Sequence, residues 1–182
     1  MKVNVKFEND EVKELYLKAS KGETIFPFKT YDKDFCYDVV ATSCEEVAPD
    51  VYKYNIGLSF QIERGEETIL QATENIFGQK EMLKTIIDLK KSPINLSIDA
   101  RPRSSIWKTG MSLCNCEGTV DELYIGKVAC YFYHVKPNMP KYEIGDKIAQ
   151  IKIGITLPME FEETKELMPT ERGEGGFGST GK

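Results

Sequence analysis

Apolar and polar residues alternate along much of this chain, which is the pattern of β-strands that bury one face. The alternation is clear at residues 3–7 and 94–98, and it returns at 151–157. Runs rich in tyrosine and β-branched residues occupy 51–62 and 127–135, with Gly, Pro, Asn and Asp between the runs. The pattern predicts an all-β sandwich or jelly roll.

One segment has a helical period instead. Between residues 79 and 91 the apolar side chains fall on one helical face, and Ser92 and Pro93 end the run. We therefore expect one helix at about 79–91 within a β domain that covers residues 1–160. Residues 161–182 are expected to form a C-terminal arm, because its last dozen residues include five glycines and bury too little apolar surface to become ordered alone.

Size and charge narrow the possible partners. The 182 residues suffice for one compact domain, and a formal net charge of −5 argues against a nucleic-acid backbone as partner. No apolar stretch reaches the roughly 20 residues that span a membrane, and the amino terminus has the alternation of a strand and lacks the form of a secretory signal. Five cysteines without a CxxC pair, beside one histidine, match no common zinc spacing. We expect reduced thiols and a cytoplasmic location, while a nuclear, mitochondrial or viral origin stays open.

Four stretches with charged, hydroxyl and glycine residues follow one another in the second half of the chain. They are DARPRSSIWKTG, LCNCEGTVDELYIG, GDKIAQ and ERGEGGFGSTG. In this order they resemble the signature of homotrimeric dUTPases. A weaker block at 35–41, FCYDVVA, is similar to the family's Ala-Gly-x-Asp element, with Phe35 and Cys36 replacing Ala and Gly and with Asp38 retained. The resemblance covers residues 35–181.

The resemblance implies a fold, a reaction and an assembly. It implies a dUTPase-like jelly roll that hydrolyses dUTP to dUMP and pyrophosphate, which keeps uracil out of DNA and supplies dUMP for dTMP synthesis. It also implies a homotrimer whose sites each take a base-binding hairpin from one subunit, phosphate residues from a second and the tail from a third. Mg²⁺ is then the cofactor, bound through substrate phosphates and water without a direct protein ligand.

With FCYDVVA counted as the first block, LCNCEGTVDELYIG is the third, and it carries the residue that we expect to activate water. A carboxylate within hydrogen-bond reach is the usual means of activating water, so Asp121 is the expected general base, although an aspartate between strands is also a common turn residue. Gly118 permits a tight bend, and the backbone of a hairpin edge can mimic a pairing base. By resemblance, Asn115 and Gly118 bind uracil, and the ring of Tyr124 leaves no space for a 2′-hydroxyl.

The second block, DARPRSSIWKTG, and the fourth, GDKIAQ, are expected to supply phosphate ligands. Pro102 indicates a strand end, after which the fork of Arg103 and the hydroxyls of Ser104 and Ser105 suit phosphate oxygens. An exposed salt bridge is the plain alternative for the arginine. By resemblance, Asp38 holds this arginine in place, while Gln150 and Lys147 also bind phosphates. Lysine stands here where the family usually has arginine, so we expect a looser contact.

The Gly-rich tail is expected to close over the nucleotide. Arg172 brings charge and is assigned a catalytic role, and glycine amides can approach phosphates closely. By resemblance, Phe177 stacks on uracil, and Gly178, Ser179 and Thr180 contact the substrate. A disordered terminus with one stray phenylalanine is the alternative that the composition alone would favour.

Two features depart from the family pattern. About thirty residues, an insertion at about 63–93, separate the strand GLSFQI from PRSS, and Ile125 replaces a residue that is often polar. The simpler interpretation is that the insertion is a structural addition without a separate function. The alternative is that it binds a protein partner. Two alternatives to dUTP hydrolysis stay open: a dCTP deaminase-like enzyme, which shares an RSS-like block, and a regulatory protein-binding module on a dUTPase scaffold.

Overall fold

The computed structural model describes residues 1–74 and 80–173, with only the backbone course for 66–74 and 80–88. Its elements in chain order are β1 (Lys2–Phe7), α1 (Asp10–Ala19), β2 (Tyr37–Val40), β3 (Ser43–Ala48), β4 (Val51–Asn55), β5 (Leu58–Glu63), β6 (Glu66–Glu74), β7 (Lys80–Asp88), β8 (Asn95–Pro102), a 3₁₀ helix (Ser104–Lys108), β9 (Met111–Leu113), β10 (Gly118–Asp121), β11 (Ala129–His134) and β12 (Lys147–Thr156). The expected all-β class is confirmed, since strands make up most of these elements.

Two four-stranded antiparallel sheets enclose the core. One has the strand order β10-β8-β12-β2 and the other β3-β4-β11-β9. Strands β4 and β11 turn every second side chain inward, and their Tyr54 and Phe132 meet Ile98 of β8 and Ile151 of β12 in one buried cluster. Strand β1 pairs with β5 in a separate two-stranded ribbon. The sandwich thus fixes the register of β8, β10, β12 and β2, the strands that carry the sequence blocks.

Helix α1 lies at the amino end and not at the expected position. Asn9 caps it by accepting a hydrogen bond from the backbone N–H of Val12 at 3.0 Å. Val12 and Tyr16 are buried one turn apart, and the Tyr16 hydroxyl donates to the carbonyl of Ile56 at 3.2 Å. The signal for this helix is present in the sequence, because an Asn cap precedes Asp10 and an apolar 3–4 spacing.

The helix expected at about 79–91 is wrong. Residues 80–88 form strand β7, which pairs antiparallel with β6 from Glu66↔Asp88 to Glu74↔Lys80, while residue 79 lies outside the described residues. A short apolar run does not distinguish helix from strand, and here a second run rich in β-branched residues at 66–74 supplies a pairing partner. The insertion is therefore a β-hairpin. None of the helices in residues 1–74 and 80–173 has the length and apolarity of a membrane span.

Candidate active site

Three residues from two of the blocks meet at one buried carboxylate. Asp38 on β2 is 2% exposed. Arg103 Nε donates to Asp38 Oδ1 at 2.9 Å, and Gln150 Nε2 donates to the same oxygen at 3.0 Å. Lys147 Nζ lies 3.3 Å from Asp38 Oδ2. The structure places Arg103 against Asp38, where the resemblance puts it, and Lys147 and Gln150 lie in the same cluster.

The sheet register explains why these residues meet. Gln150 of β12 lies opposite Asp38 of β2, and Ala149 lies opposite Pro102 at the end of β8. Pro102 has no N–H to continue the ladder, so the chain leaves the sheet there and Arg103 turns towards β2. Strand β8 ends at the proline, as the sequence predicted.

The Asp38 cluster keeps a net positive charge. Two cations face one carboxylate, and the side chains of Arg103 and Lys147 remain 27% and 26% exposed. Arg103 Nη1 also donates to Ser105 Oγ at 3.4 Å, and Ser104 beside it is exposed. Lys147 Nζ lies 4.5 Å from the centroid of the Phe28 ring, so the lysine is held between a carboxylate and an aromatic face. Cations that are partly exposed and held in a fixed position suit an anionic ligand.

The third block has a different shape from the expected hairpin. Strand β9 pairs with β11, and β10 pairs with β8, so the block crosses from one sheet to the other. The tight bend lies at Cys116, whose φ is 55°, while Gly118 opens β10. The predicted hairpin across Gly118 is therefore wrong, because each strand finds its partner in a different sheet. Asn115 and Gly118 line one cleft of about 200 Å³.

A larger cleft holds Asp121 and Tyr124. Its volume is about 510 Å³, and Thr119, Val120 and Tyr131 line both this cleft and the smaller one. Asp121 ends β10 and is exposed. The backbone N–H of Tyr124 donates to the carbonyl of Asp121 at 3.0 Å, which closes a turn between the two residues. The two adjoining clefts thus bring the expected base-binding residues together with the expected general base.

The ring of Tyr124 is held in place from below. Its hydroxyl donates to the carbonyl of Lys127 at 3.0 Å. A Cβ on Gly126 would lie 2.4 Å from that hydroxyl, so only glycine permits the ring to lie there. The side chain is nevertheless 49% exposed and lines the larger cleft. Ile125, the departure from the family pattern, is 68% exposed and lies beside this turn.

The Asp38 cluster and Asp121 lie far apart within one chain. Asp121 is opposite Ser97 on β8, and Arg103 follows Ser97 by six residues, directly after the end of that strand. At about 3.4 Å per residue the separation is roughly 20 Å. A single chain therefore does not present both groups to one phosphate chain.

Two arginine–glutamate pairs that the sequence did not predict hold the ends of β10. Arg101 Nε donates to Glu117 just before the strand. Arg64 Nε and Nη2 each donate to the Glu122 carboxylate at 2.6 Å just after it. Hydrogen bonding by Arg64 lowers the pKa of Glu122 below its ordinary value. No local pattern marks these pairs, because their partners are distant in sequence.

The remaining expected residues belong to the tail. Arg172 is exposed at the end of the described chain. Phe177, Gly178, Ser179 and Thr180 lie outside the described residues, so the closure of the tail stays a prediction. All five cysteines are free thiols. Within residues 1–74 and 80–173, no group of three His, Cys, Asp or Glu side chains is arranged to hold a metal ion.

Sequence comparisons identify relatives for most of the chain. The family model for dUTPase matches residues 60–181. The deoxyuridine 5'-triphosphate nucleotidohydrolase of Clostridium novyi (strain NT) is 38% identical over 104 residues, which are 57% of this chain and 72% of that protein. The protein of the same name from Bdellovibrio bacteriovorus is 35% identical over 107 residues, which are 58% of this chain and 70% of that protein.

Structural comparisons identify the same fold. The dUTPase of Staphylococcus bacteriophage 80alpha, solved as a variant with dUpNHpp, matches 99% of this chain and 98% of its own with a TM-score of 0.56 at 17% identity. The dUTPase from phage phi11 of S. aureus matches 92% of this chain and 98% of its own with a TM-score of 0.57 at 13% identity. A variant of the phi11 enzyme, with a TM-score of 0.56 at 13% identity over 93% of this chain and 100% of its own, coordinates a structural Mg(II) ion. The jelly-roll fold expected from the sequence is confirmed.

Proposed function

Because the chain belongs to the dUTPase family, we propose that it hydrolyses dUTP to dUMP and pyrophosphate. The observation that carries this proposal is the convergence of Arg103, Lys147 and Gln150 on the single carboxylate of Asp38. Residues from separate family blocks then form one cationic surface for a phosphate chain. The cleft with Asp121 and Tyr124 supplies the second half of such a site.

We propose Asp121 as the general base. Its carboxylate accepts a proton from a water molecule as the water oxygen attacks the α-phosphorus. The bond from the α-phosphorus to the bridging oxygen of the β-phosphate breaks, and pyrophosphate leaves with the electron pair of that bond. No covalent intermediate is needed. Asp121 suits this task because it is exposed at a strand end, where β8 fixes the backbone and solvent reaches the carboxylate.

The other residues bind and orient the nucleotide. Asn115 and the backbone at Gly118 bind uracil, and the ring of Tyr124, held over Gly126, packs under the deoxyribose and excludes a 2′-hydroxyl. The cluster around Asp38, together with the hydroxyls of Ser104 and Ser105, binds the phosphates. Arg172, Phe177, Gly178, Ser179 and Thr180 cover the nucleotide in this proposal, with Phe177 stacked on uracil.

Mg²⁺ is proposed to enter with the triphosphate. The Asp38 carboxylate is already engaged by three donors, and the rest of that cluster is cationic, so these residues do not suit a bare metal ion. An ion bound by phosphate oxygens and water fits better, and it offsets the negative charge of the phosphates. The protein groups then contact the phosphate oxygens and not the metal.

A pyrophosphate release assay tests the reaction. We expect turnover of dUTP with Mg²⁺, far less with UTP because of Tyr124, and little with dCTP or dTTP. Chelation of Mg²⁺ by EDTA should reduce the rate on dUTP. Ammonia released from dCTP would instead support a dCTP deaminase-like enzyme. Absence of pyrophosphate from dUTP, with the protein shown to be folded by circular dichroism, would refute the proposal.

The separation of roughly 20 Å within one chain supports a site shared between subunits of a trimer. We therefore expect Asp121→Asn and Arg103→Gln to be nearly inactive alone and to complement each other when refolded together. Random mixing places one site with both residues intact in three quarters of the trimers, so about a quarter of the wild-type activity should return.

A third variant controls the mixing experiment. Tyr124→Ala changes the same turn as Asp121, so a mixture of Tyr124→Ala with Asp121→Asn should not recover activity. Native mass spectrometry would establish that mixed trimers form. Mixed trimers of the first pair without recovered activity would show that each chain contains its own complete site.

A further inference from the structure

Arg64 makes five hydrogen bonds with its five N–H donors. Nε and Nη2 contact the two oxygens of Glu122 at 2.6 Å each, which is a bidentate pair. Nη1 donates to the carbonyls of Leu89 at 3.0 Å and Ser92 at 3.3 Å, and Nη2 donates to the carbonyl of Ile94 at 2.8 Å. Both charged side chains are only 20% exposed. Because every N–H of the guanidinium donates to an acceptor, and the acceptors come from several residues, the group is held in one orientation.

The acceptors of Arg64 join two parts of the molecule. Leu89, Ser92 and Ile94 lead from hairpin β6–β7 back into β8, and the N–H of Leu89 also donates to the carbonyl of Gly65 at 3.0 Å to close the base of the hairpin. Glu122 directly follows Asp121 in the turn to Tyr124. The arginine therefore connects the base of the insertion to the residue next to the proposed general base.

We infer that Arg64 is a positioning residue for Asp121, and that the base of the insertion holds Arg64 in the orientation this task needs. The inference rests on the proposed function. The backbone up to and including Asp121 is held by pairing with β8, where Asp121 lies opposite Ser97. The backbone after Asp121 is held at Glu122, whose carboxylate is bound by Arg64. Such groups must be held within about 0.5 Å to act, so a loose turn lowers the rate of the chemical step more than it weakens nucleotide binding.

The same contacts give the base of the insertion a structural role, which is to orient Arg64. Two of its carbonyls, at Leu89 and Ser92, accept from Nη1 and leave Nε and Nη2 aimed at Glu122. Lysine at position 64 would keep the charge and lose the fork, so it would contact Glu122 or the carbonyls but not all of them.

Two substitutions test the inference. Glu122→Gln preserves size and loses the charge of the bidentate pair, and Arg64→Lys keeps the charge and loses the geometry. We expect each to lower kcat for dUTP by about tenfold or more, because a misplacement of about 1 Å can cost about 10²-fold. The Kd of a non-hydrolysable dUTP analogue should stay within twofold. Glu63→Gln is the matched control, because Glu63 adjoins Arg64 and its carboxylate makes exposed contacts with Lys2 at 3.8 Å and with the Asn4 amide at 3.4 Å, away from Glu122.

The outcomes separate this inference from the proposed function. Wild-type protein without dUTP turnover would refute the proposed function itself. Active wild type with unchanged kcat in Glu122→Gln and in Arg64→Lys would overturn the positioning role. Equal losses in kcat and in analogue binding would also overturn it, because they would indicate general damage to the site. Glu122→Gln carries the test if circular dichroism shows that Arg64→Lys is not folded.

Discussion

Asp121→Asn should lower kcat for dUTP by about 10²- to 10⁴-fold, the usual contribution of a general base. Asparagine has the size of aspartate and keeps hydrogen-bonding groups at the same place, so the turn to Tyr124 should persist. Its amide cannot accept the proton of the attacking water. The Kd of a non-hydrolysable dUTP analogue, measured by calorimetry, should therefore stay close to the wild-type value while pyrophosphate release nearly stops.

A second aspartate provides the comparison for Asp121→Asn. Asp10 is also exposed, and it contacts Lys13 on α1 outside the cleft, so Asp10→Asn should have wild-type turnover. Both variants remove one surface charge, which controls for a general electrostatic effect on dUTP association. Near-wild-type turnover in Asp121→Asn would remove this residue from the mechanism. A large rise in the analogue Kd would mean that the carboxylate binds the nucleotide and does not act on water.

Local periodicity was sufficient for the strands of the sandwich and insufficient for the insertion. Residues 94–98 alternate because one face of β8 meets the core, where Leu96 and Ile98 are buried. In the run 151–157 burial accounts for Ile151, whereas Ile155 and Leu157 are each 67% exposed. The run at 79–91 has both helical spacing and residues that favour strands, and its state is decided by pairing with β6, an interaction that no window of the sequence contains. Helix α1 was missed although its Asn9 cap was visible.

The site was predictable where the family blocks carry it and not where distant residues support it. The contact between Asp38 and Arg103, 65 residues apart, followed from the resemblance to a known family. Arg64 and Glu122 are 58 residues apart, and although Glu122 stands in a family block, nothing in the sequence marks Arg64 as its partner. Their pairing depends on how the insertion re-enters β8, which is a property of the folded sheet. The left-handed bend at Cys116 is of the same kind, because it lies where the chain passes from β9 in one sheet to β10 in the other. The sequence alone pointed to Gly118 as the turn residue, since glycine is the residue that most easily adopts such a bend.

Asp38→Asn should destabilise the fold and also impair catalysis. Loss of the buried carboxylate leaves Arg103 and Lys147 close together without their counter-ion, and because both cations keep about a quarter of their surface in water we expect a cost of about 1–3 kcal/mol of unfolding free energy. The asparagine carbonyl can still accept from Arg103 Nε, but the charge that holds the guanidinium is gone and the new amide N–H faces Lys147 Nζ, so the fork of Arg103 is held less firmly towards the phosphates. A misplaced phosphate ligand should lower kcat/KM by about 10²-fold.

A buried carboxylate elsewhere in the same sheet separates these two effects. Asp99 on β8 is 8% exposed and accepts from Lys152 Nζ at 2.5 Å and from Ser97 Oγ at 2.7 Å. Asp99→Asn should lose a similar free energy of unfolding in urea at equal protomer concentration. Its kcat/KM should stay near the wild-type value at a temperature where both variants are folded, since Lys152 does not belong to the Asp38 cluster. If Asp99→Asn lost as much activity as Asp38→Asn, or if Asp38→Asn retained full activity, Asp38 would not act by orienting Arg103 towards the phosphates, and its role would be in stability.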